Sequence, residues 1–507
     1  MIPFVELHSS IYADFGGDIM ATVASNEPVK QIDLKGVKTG PLIAVLLSGA
    51  FVAILSETIL NVALSAIMDN FNIASGTAQW LVTGYMLVIG TIVPISAYFM
   101  RRFSTRQLFI TAMTFFTLGT LIAGFSPTFS ILLIGRLTQA LGTAIILPLL
   151  TNTILAVVPI ERRGAAMGLM GLIIMFAPAI GPTFSGLIVE SLTWRWLFYF
   201  TFPIAAVSLL FGMKVLVNVT ETSKPKLDIL SFILSTLGFG GIVYGFSSAG
   251  KGDASFTDPL VVTTLLIGLI SLILFYWRQL NLEKPLLDVR VLRYPMFSLG
   301  LLITMLTMMT MFAMMLVLPM YLQSAILLTA VTTGLVMLPG GLINGAISPL
   351  MGRLFDKWGP RPLLIPGTII MAITVFMYRF ALPGVPTAVF IILQAVLMIA
   401  VAMIMMPAQT NGLNQIPERL YPHGTAIFNT LMQISGAIGA ALFISVMESG
   451  QQNYLNNSGI SNPSPQESID ALKYGSQQSF TTGLILAIAS IIIALFIRNS
   501  KKAKNIG

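Results

Sequence analysis

The sequence predicts an all-α polytopic membrane protein, and its composition leads to that class. Hydrophobic residues make up 55% of the 507 residues and charged residues only 9%, whereas soluble domains carry about a quarter charged residues. The apolar residues fall in long unbroken runs, which are typical of membrane-spanning helices rather than of short alternating strands. Because so much apolar surface is stable only in lipid, the bilayer is the expected surrounding medium.

Fourteen apolar runs are each long enough to cross the roughly 30 Å core of a bilayer as a helix. An even number of spans places both chain ends on one side of the membrane. The runs fall at 41–68, 78–99, 107–125, 127–157, 164–189, 197–218, 228–248, 258–277, 296–322, 328–353, 362–380, 385–412, 424–447 and 480–497.

The basic residues indicate which side that is. About 23 of the 28 lysines and arginines fall in the N-terminal tail or in segments on its side of the membrane, and four fall on the other side. Cytoplasmic segments carry the excess of basic residues, so we expect a plasma-membrane protein with both ends in the cytoplasm. The same bias accounts for the net charge of +8 without nucleic acid as a partner. The polar stretch 449–479 is then an external loop.

The sequence argues against several kinds of site. The chain has no cysteine, and His8 and His423 lie outside the apolar runs, so we expect neither a metal site nor a cofactor. The segment Gly245 to Lys251 matches most of a phosphate-binding loop, but Gly252 follows where that motif needs Ser or Thr, and a membrane helix precedes it. We therefore expect no nucleotide partner. The sequence shows no cluster of catalytic side chains that would face water, so we do not expect an enzyme.

An internal repeat divides the chain. The loop at 92–109 aligns without gaps with the loop at 347–364, about 255 residues later, and each follows the second span of a six-span group. Two parallel six-helix halves with a site between them are a transporter architecture that works by alternating access. The predicted parts are a cytoplasmic tail, a six-helix half, two inserted helices, a second half and a basic tail, at 1–40, 41–218, 219–295, 296–498 and 499–507.

The second copy of this loop, GRLFDKWGPRP, resembles the signature loop of the major facilitator superfamily. Its marked positions are Gly352, Asp356, Lys357, Gly359 and Arg361. The resemblance implies the superfamily fold, arranged here as 6 + 2 + 6 helices, and a loop that latches one conformation. Glycines allow a tight turn and close helix approach. Asp356 would cap a helix N-terminus and pair with a basic residue of a neighbouring helix.

The first copy of the loop departs from the family pattern. Arg101 stands where the family has an acid, and Ser104 stands where it has a glycine. In the family the stronger copy is usually in the first half. We therefore expect that the latch has moved to the second half in this chain.

A second family motif lies in the fourth span, GRLTQALGTA. Arg136 lies deep in this apolar helix, and Gln139 is one turn along on the same face. A buried arginine is costly unless it faces partners or water. The resemblance therefore implies a functional role for Arg136.

The fifth span resembles the antiporter motif of the family. Small residues let two helices approach closely, and a proline lets the helix bend. The motif positions are Gly168, Ala177, Gly181, Pro182 and Gly186. In the family this run marks exporters rather than uptake symporters.

The first span carries LSETILNVAL, which resembles the motif of the fourteen-span drug:proton antiporter branch. The acid of that motif stands two places before the threonine, where this chain has Ser56, and here Glu57 is next to Thr58. One residue rotates a side chain by about 100° around a helix. Within the branch, the chain is similar to the lincomycin-resistance type of Gram-positive exporters.

These residues suggest how protons are coupled to transport. Glu57 is the clearest acid in the middle of a span. Burial disfavours a charged carboxylate and a nearby arginine favours it, so Glu57 beside Arg136 would change protonation as the cavity opens to either side. The candidates for the lining of the substrate cavity are Asn61, Trp80, Tyr85 and Gln139.

The expected function is export of small amphipathic compounds, such as drugs, antibiotics and lipophilic cations, in exchange for protons, by a monomer. Three alternatives remain open. An exporter of an endogenous metabolite, lipid or peptide would use the same machinery. A proton-coupled uptake symporter would share the fold but lack the antiporter run, and a channel would not need a latched repeat.

Overall fold

The computed structural model describes residues 39–73, 75–78, 80–219, 222, 228–249, 258–283, 285–328, 330–380, 385–460 and 463–498. Most of the predicted N-terminal tail and all of the predicted basic tail lie outside these residues. The described chain forms fourteen long helices: α1 Thr39–Phe71, α2 Trp80–Arg102, α3 Thr105–Gly124, α4 Phe129–Val157, α5 Arg163–Ser191, α6 Trp196–Val215, α7 Ile229–Ala249, α8 Pro259–Asn281, α9 Pro295–Ser324, α10 Ala330–Trp358, α11 Arg361–Tyr378, α12 Thr387–Gln415, α13 Tyr421–Asn457 and α14 Pro465–Phe496.

The fourteen helices confirm the predicted spans and the all-α class. Thirteen of them contain stretches long and apolar enough to cross a membrane, and the remaining helix, α5, is 29 residues long. Helix α2 contains a 3-10 turn at Val93–Ile95. Pro94 lies in this turn, where its missing N–H would interrupt a regular α-helix.

The predicted loop at 449–479 is wrong as secondary structure, because helices continue through most of it. Only seven residues separate α13 from α14. Ser464 and Glu467 form a capping box that starts α14: each side chain accepts a hydrogen bond from the other residue's backbone N–H. The two helices then pack closely, since a Cβ on Gly450 would lie 2.8 Å from the Gly475 Cα. The polar composition of this stretch indicates where the helices leave the lipid. It does not indicate where the helices end.

The inserted helices α7 and α8 pair with each other and touch both halves. Helix α7 packs against α2 of the first half and against α13 of the second. The aligned loops of the sequence repeat lie at matching places, in the α2–α3 turn and the α10–α11 turn. The structure therefore confirms that each copy follows the second helix of its half.

An ion pair fastens the two inserted helices to each other, and an amide fastens them to the linker that follows. Asp228, just before α7, accepts two hydrogen bonds from Arg278 near the end of α8, at 2.9 and 3.1 Å. These bonds hold the pKa of the Asp228 carboxyl below its usual range. The Gln279 amide donates to the Ser231 hydroxyl at 2.6 Å and accepts from the Leu286 N–H at 2.8 Å. The linker is thus held to the inserted pair.

Candidate functional site

A buried arginine lies at the centre of the first half. Arg136 on α4 is 1% exposed. Its Nη1 donates to the Gln139 Oε1 at 2.8 Å, to the Ser56 Oγ at 3.1 Å and to the Ser56 carbonyl oxygen at 3.2 Å. The guanidinium carbon lies 4.1 Å from the centre of the Tyr85 ring, a cation–π contact. Its Nε has no hydrogen-bond partner in the described chain.

The partners of Arg136 are themselves held by neighbouring helices. Gln139 donates from Nε2 to the Thr120 hydroxyl of α3 at 2.7 Å. The Tyr85 hydroxyl of α2 lies 2.6 Å from the Thr143 hydroxyl of α4. These bonds fix the amide and the ring around the guanidinium. A cation held in this way is oriented before any substrate arrives.

The one-residue shift of the acid in α1 has a clear structural consequence. Ser56, which stands where the family motif has its acid, is the residue that faces Arg136. Glu57 points about 100° away around the helix. Thr58 lies against the backbone of α5, while Leu55 and Ile59 pack on the opposite side in the core that includes α6. Glu57 therefore lies on the face of α1 between the face that meets α4 and the face that meets α5.

Glu57 is close enough to interact electrostatically with Arg136 and Tyr85, but it does not contact the guanidinium. The two ion pairs of the described residues join Arg278 to Asp228 and Lys473 to Asp470. The Glu57 side chain is only partly buried, while Ser56 beside it is fully buried. A carboxylate in this position feels the field of the buried Arg136 cation, which favours its charged form.

The other predicted cavity residues fall in different places. Tyr85 and Gln139 belong to the Arg136 cluster. Trp80 does not: it is 42% exposed and stacks on Tyr244 of the inserted helix α7, with ring centres 6.0 Å apart. Asn61 lies on α1 one turn after Glu57, but its side chain is outside the described residues.

The second-half loop closes one end of the space between the halves. The Asp356 carboxylate accepts hydrogen bonds from the backbone N–H groups of Gly164 at 2.8 Å and Ala165 at 2.9 Å, at the start of α5. A negative charge is favourable at this positive end of a helix. The predicted capping is therefore present. The predicted pairing of Asp356 with a basic residue is wrong, since Asp356 belongs to neither ion pair of the described residues.

Glycines make this contact between α5 and α10 possible. A Cβ on Gly352 would lie 2.0 Å from the Gly164 carbonyl oxygen, and a Cβ on Gly168 would lie 2.6 Å from the Ser348 carbonyl oxygen. Both distances are far shorter than a van der Waals contact. Gly359 has a φ of +79° after α10, a conformation that favours glycine. These glycines are required by backbone approach or by turn geometry.

The remaining loop residues stabilise the loop within its own half. Arg361 donates from Nε to the Ile497 carbonyl oxygen at 2.6 Å, which ties the loop to the end of α14. The Lys357 Nζ lies 5.9 Å from the centre of the Trp358 ring. Within the described residues, the contacts of Arg361 and Lys357 stay in the second half.

The antiporter motif of α5 contributes to two different interfaces. Gly168 faces α10, while Gly181 faces α1, where a Cβ would lie 2.4 Å from the Thr58 hydroxyl. Ala177 is fully buried. Gly186 has no atom within 4 Å of the position of a Cβ. Pro182 lies within α5, but its side chain is outside the described residues.

Sequence reasoning missed a second bridge between the halves. Arg163, which the sequence suggested only as a loop cation, is 4% exposed. Its Nη1 donates to the Asn414 Oδ1 at 3.1 Å and to the Tyr421 hydroxyl at 2.8 Å, both in the second half. Its Nη2 donates to the Leu155 carbonyl oxygen at 2.6 Å in its own half. A signal existed in the sequence: Arg163 follows a proline-initiated turn that recurs before Tyr421.

Contact between the halves is concentrated at the loop end, which we call the gate. The most extensive helix contact of the described chain joins α5 to α10, and its close approaches involve Gly164, Gly168 and Gly352. At the far ends of the same helices, Gly186 and Gly334 have no atom within 4 Å of a Cβ position. The close backbone approaches described between α5 and α10 thus lie at the gate, and the structure is closed there.

Replacing Gly352 with alanine is expected to push α5 and α10 apart. Overpacking of this kind costs about 1–3 kcal/mol, so the ratio of closed to open molecules should fall by about 5- to 150-fold. Because the chain lacks cysteine, the rate of thiol labelling of Ser348→Cys, at a site 2% exposed, reports opening. Gly334→Ala on the same helix is the matched control, and equal labelling in both variants would reject the steric explanation.

The fold and the site together define a class. Two six-helix halves, a buried charged cluster within the first half and a gate that seals one end make this chain a membrane transporter of the alternating-access type.

Comparison with known proteins then identifies the family. The sequence profile of the Major Facilitator Superfamily matches residues 46–440, and the chain belongs to that superfamily. It is 50% identical to the lincomycin resistance protein LmrB of Listeria monocytogenes, over 91% of this chain and 97% of that protein. It is 49% identical to the LmrB of Bacillus subtilis, over 92% and 97%. Among solved structures, the human organic anion transporter MFSD10 aligns with a TM-score of 0.64 and 12% identity, over 90% and 99% of the chains, which supports the fold alone.

Proposed function

We propose that this protein is a proton-coupled antiporter that exports small amphipathic compounds across a plasma membrane. The observation that carries the proposal is the acid Glu57, in the middle of α1 and within electrostatic reach of the buried Arg136. Supporting it are the antiporter motif in α5 and the similarity to drug-resistance proteins. The two halves with their inserted helix pair act as a monomer, with both chain ends in the cytoplasm.

The distribution of basic residues indicates which side of the membrane the closed gate faces. With the basic loops in the cytoplasm, the closed gate is the cytoplasmic one, and Glu57 is reached from outside. A proton would load from the outside in this state and leave after the gate opens, while substrate moves outward. One charge crossing about 150 mV supplies roughly 3.5 kcal/mol, more than the about 2.7 kcal/mol that a hundredfold substrate gradient requires.

The first substrate to test follows from the relatives, which are named for lincomycin resistance. Inverted vesicles containing the protein should accumulate lincomycin or a fluorescent lipophilic cation when energised, and an uncoupler should abolish the accumulation. Vesicles without the protein are the control. A proton-independent rate would reject antiport, and failure across a broad panel of drugs and dyes would favour an endogenous metabolite, lipid or peptide as the cargo.

A further inference from the structure

A second repeated element relates the starts of α5 and α13. Each helix is preceded by a three-residue 3-10 turn, Ile160–Arg162 in the first half and Glu418–Leu420 in the second, and a proline stands before each turn. Helix α5 then begins at Arg163 and α13 at Tyr421. Counting from the helix start, Pro422 corresponds to Gly164, and His423 corresponds to Ala165.

The first-half copy of the latch lacks its acid at the corresponding place. Asp356 meets two N–H groups at the start of α5, and the aligned residue Arg101 meets the start of α13 at His423. A cation is unfavourable at the positive end of a helix. Pro422 has no N–H to offer, even to an acid. This corner of the gate therefore needs an anion from elsewhere.

The linker after the inserted helices lies at this corner. Arg101 donates to the Pro285 carbonyl oxygen at 3.4 Å. The backbone N–H of Asp288 donates to the His423 Nδ1 at 3.0 Å. The Asp288 carboxylate acts electrostatically on the Arg101 guanidinium, although it is not in direct contact with it. A single linker thus reaches the end of α2 and the start of α13.

The histidine does not supply the missing acceptor. A neutral imidazole has one nitrogen that accepts and one that donates. The Asp288 N–H donates to Nδ1, so the imidazole proton lies on Nε2. The Arg101 Nη1 lies 3.3 Å from Nε2, and there one donor group faces another. The Arg101 charge is therefore balanced by the Pro285 carbonyl and the Asp288 carboxylate.

We propose that Asp288 is a positioning residue that replaces the missing acid of the first-half latch, so that the two inserted helices form part of the gate. The role rests on the proposed transport cycle: Asp288 holds Arg101 against α13 while the gate is closed and releases it as the gate opens. Gln279 and Arg290 anchor the linker on either side of Asp288, since Arg290 Nη2 donates to the Leu280 carbonyl oxygen at 3.0 Å. Movement at this corner must therefore move the inserted pair or break these bonds.

The test measures gate opening without any substrate. Ser96→Cys places a thiol in the part of α2 that contacts α13, at a site buried in this structure, and a membrane-impermeant thiol reagent is applied from the loop side. Asp288→Asn is expected to raise the labelling rate about 5- to 10-fold, at the lower end of the usual range of coupling between sites. Glu283→Gln, an exposed acid in the same linker, should leave the rate unchanged, and Asp288→Glu should restore it.

A double-mutant cycle separates this role from a local structural one, because Asp288 also accepts a hydrogen bond from the Arg290 N–H at 3.0 Å. If Asp288 acts through Arg101, Asp288→Asn should have no further effect in an Arg101→Ala background. An equal effect in both backgrounds, or no effect in either, overturns the proposal. Labelling requires neither efflux nor a proton gradient, so its result stands even if the proposed function fails.

Discussion

Replacing Glu57 with glutamine is expected to abolish proton-driven efflux while leaving membrane insertion intact. Glutamine keeps the size of the side chain but cannot carry a charge. One proton per cycle sustains at most a few hundredfold substrate gradient at about 150 mV. In the variant, the substrate concentrations on the two sides of the membrane should become equal. The measurement is accumulation of substrate in energised inverted vesicles, together with proton release on adding substrate.

A matched control is Glu190→Gln, which removes an exposed acid at the far end of α5 and should transport normally. A second variant tests the helical register: Ser56→Glu combined with Glu57→Ser moves the acid onto the face that contacts Arg136. A direct ion pair there would stabilise the charged carboxylate, so proton loading should require a more acidic exterior. Undiminished coupled efflux in Glu57→Gln would exclude Glu57 as the proton carrier.

Reversing the charge of Asp356 is expected to impair transport more than reversing that of Arg101. Asp356→Lys loses two charge-assisted hydrogen bonds to the start of α5, each worth about 1.5–3 kcal/mol. It also places a cation at the positive end of that helix. The rate of efflux should fall by at least about tenfold, which corresponds to 1.4 kcal/mol.

Arg101→Glu should be milder, because Arg101 makes one long hydrogen bond of 3.4 Å to the Pro285 carbonyl oxygen and feels Asp288 only at a distance. The variant replaces the attraction between Asp288 and residue 101 by repulsion, which loosens this corner without breaking the two hydrogen bonds of Asp356. Efflux rates at equal membrane abundance, with Ser348→Cys labelling as the readout of the gate, compare the two variants. A larger loss from Arg101→Glu would show that the first-half corner is the stronger latch.

Much of the fold could be predicted because lipid imposes simple rules on a chain. Backbone polar groups in lipid must pair within a helix, so the length of each apolar run indicates a span. The gapless repeat of two basic loops indicated two halves. Hydropathy failed at 449–479 because it measures preference for lipid, whereas the capping box of Ser464 and Glu467 starts a helix in any medium.

The sequence predicted only part of the candidate site. The motif around Arg136 and Gln139 marked a buried cluster, and the structure brings both together with Tyr85. The place of Glu57 required tertiary contacts, since only the packing of α1 shows that Ser56 meets α4 and Thr58 meets α5, with Glu57 between them. The contact of Trp80 with Tyr244 of the inserted helix could not be predicted, because an apolar aromatic suits a cavity and a helix interface equally well.

The sequence by itself determined the membrane class, the fourteen spans, the two halves and the identity of the charged residues within them. These depend on local properties, namely hydropathy, helical period and motif spacing. Only the tertiary structure decided which residues bridge the halves: Arg163 with Tyr421, Asp356 with the start of α5, and Arg101 with the linker near Asp288. The reason is physical: partners separated by about 180 to 260 positions meet only when the helices pack, and no local pattern specifies which loop end meets which helix start.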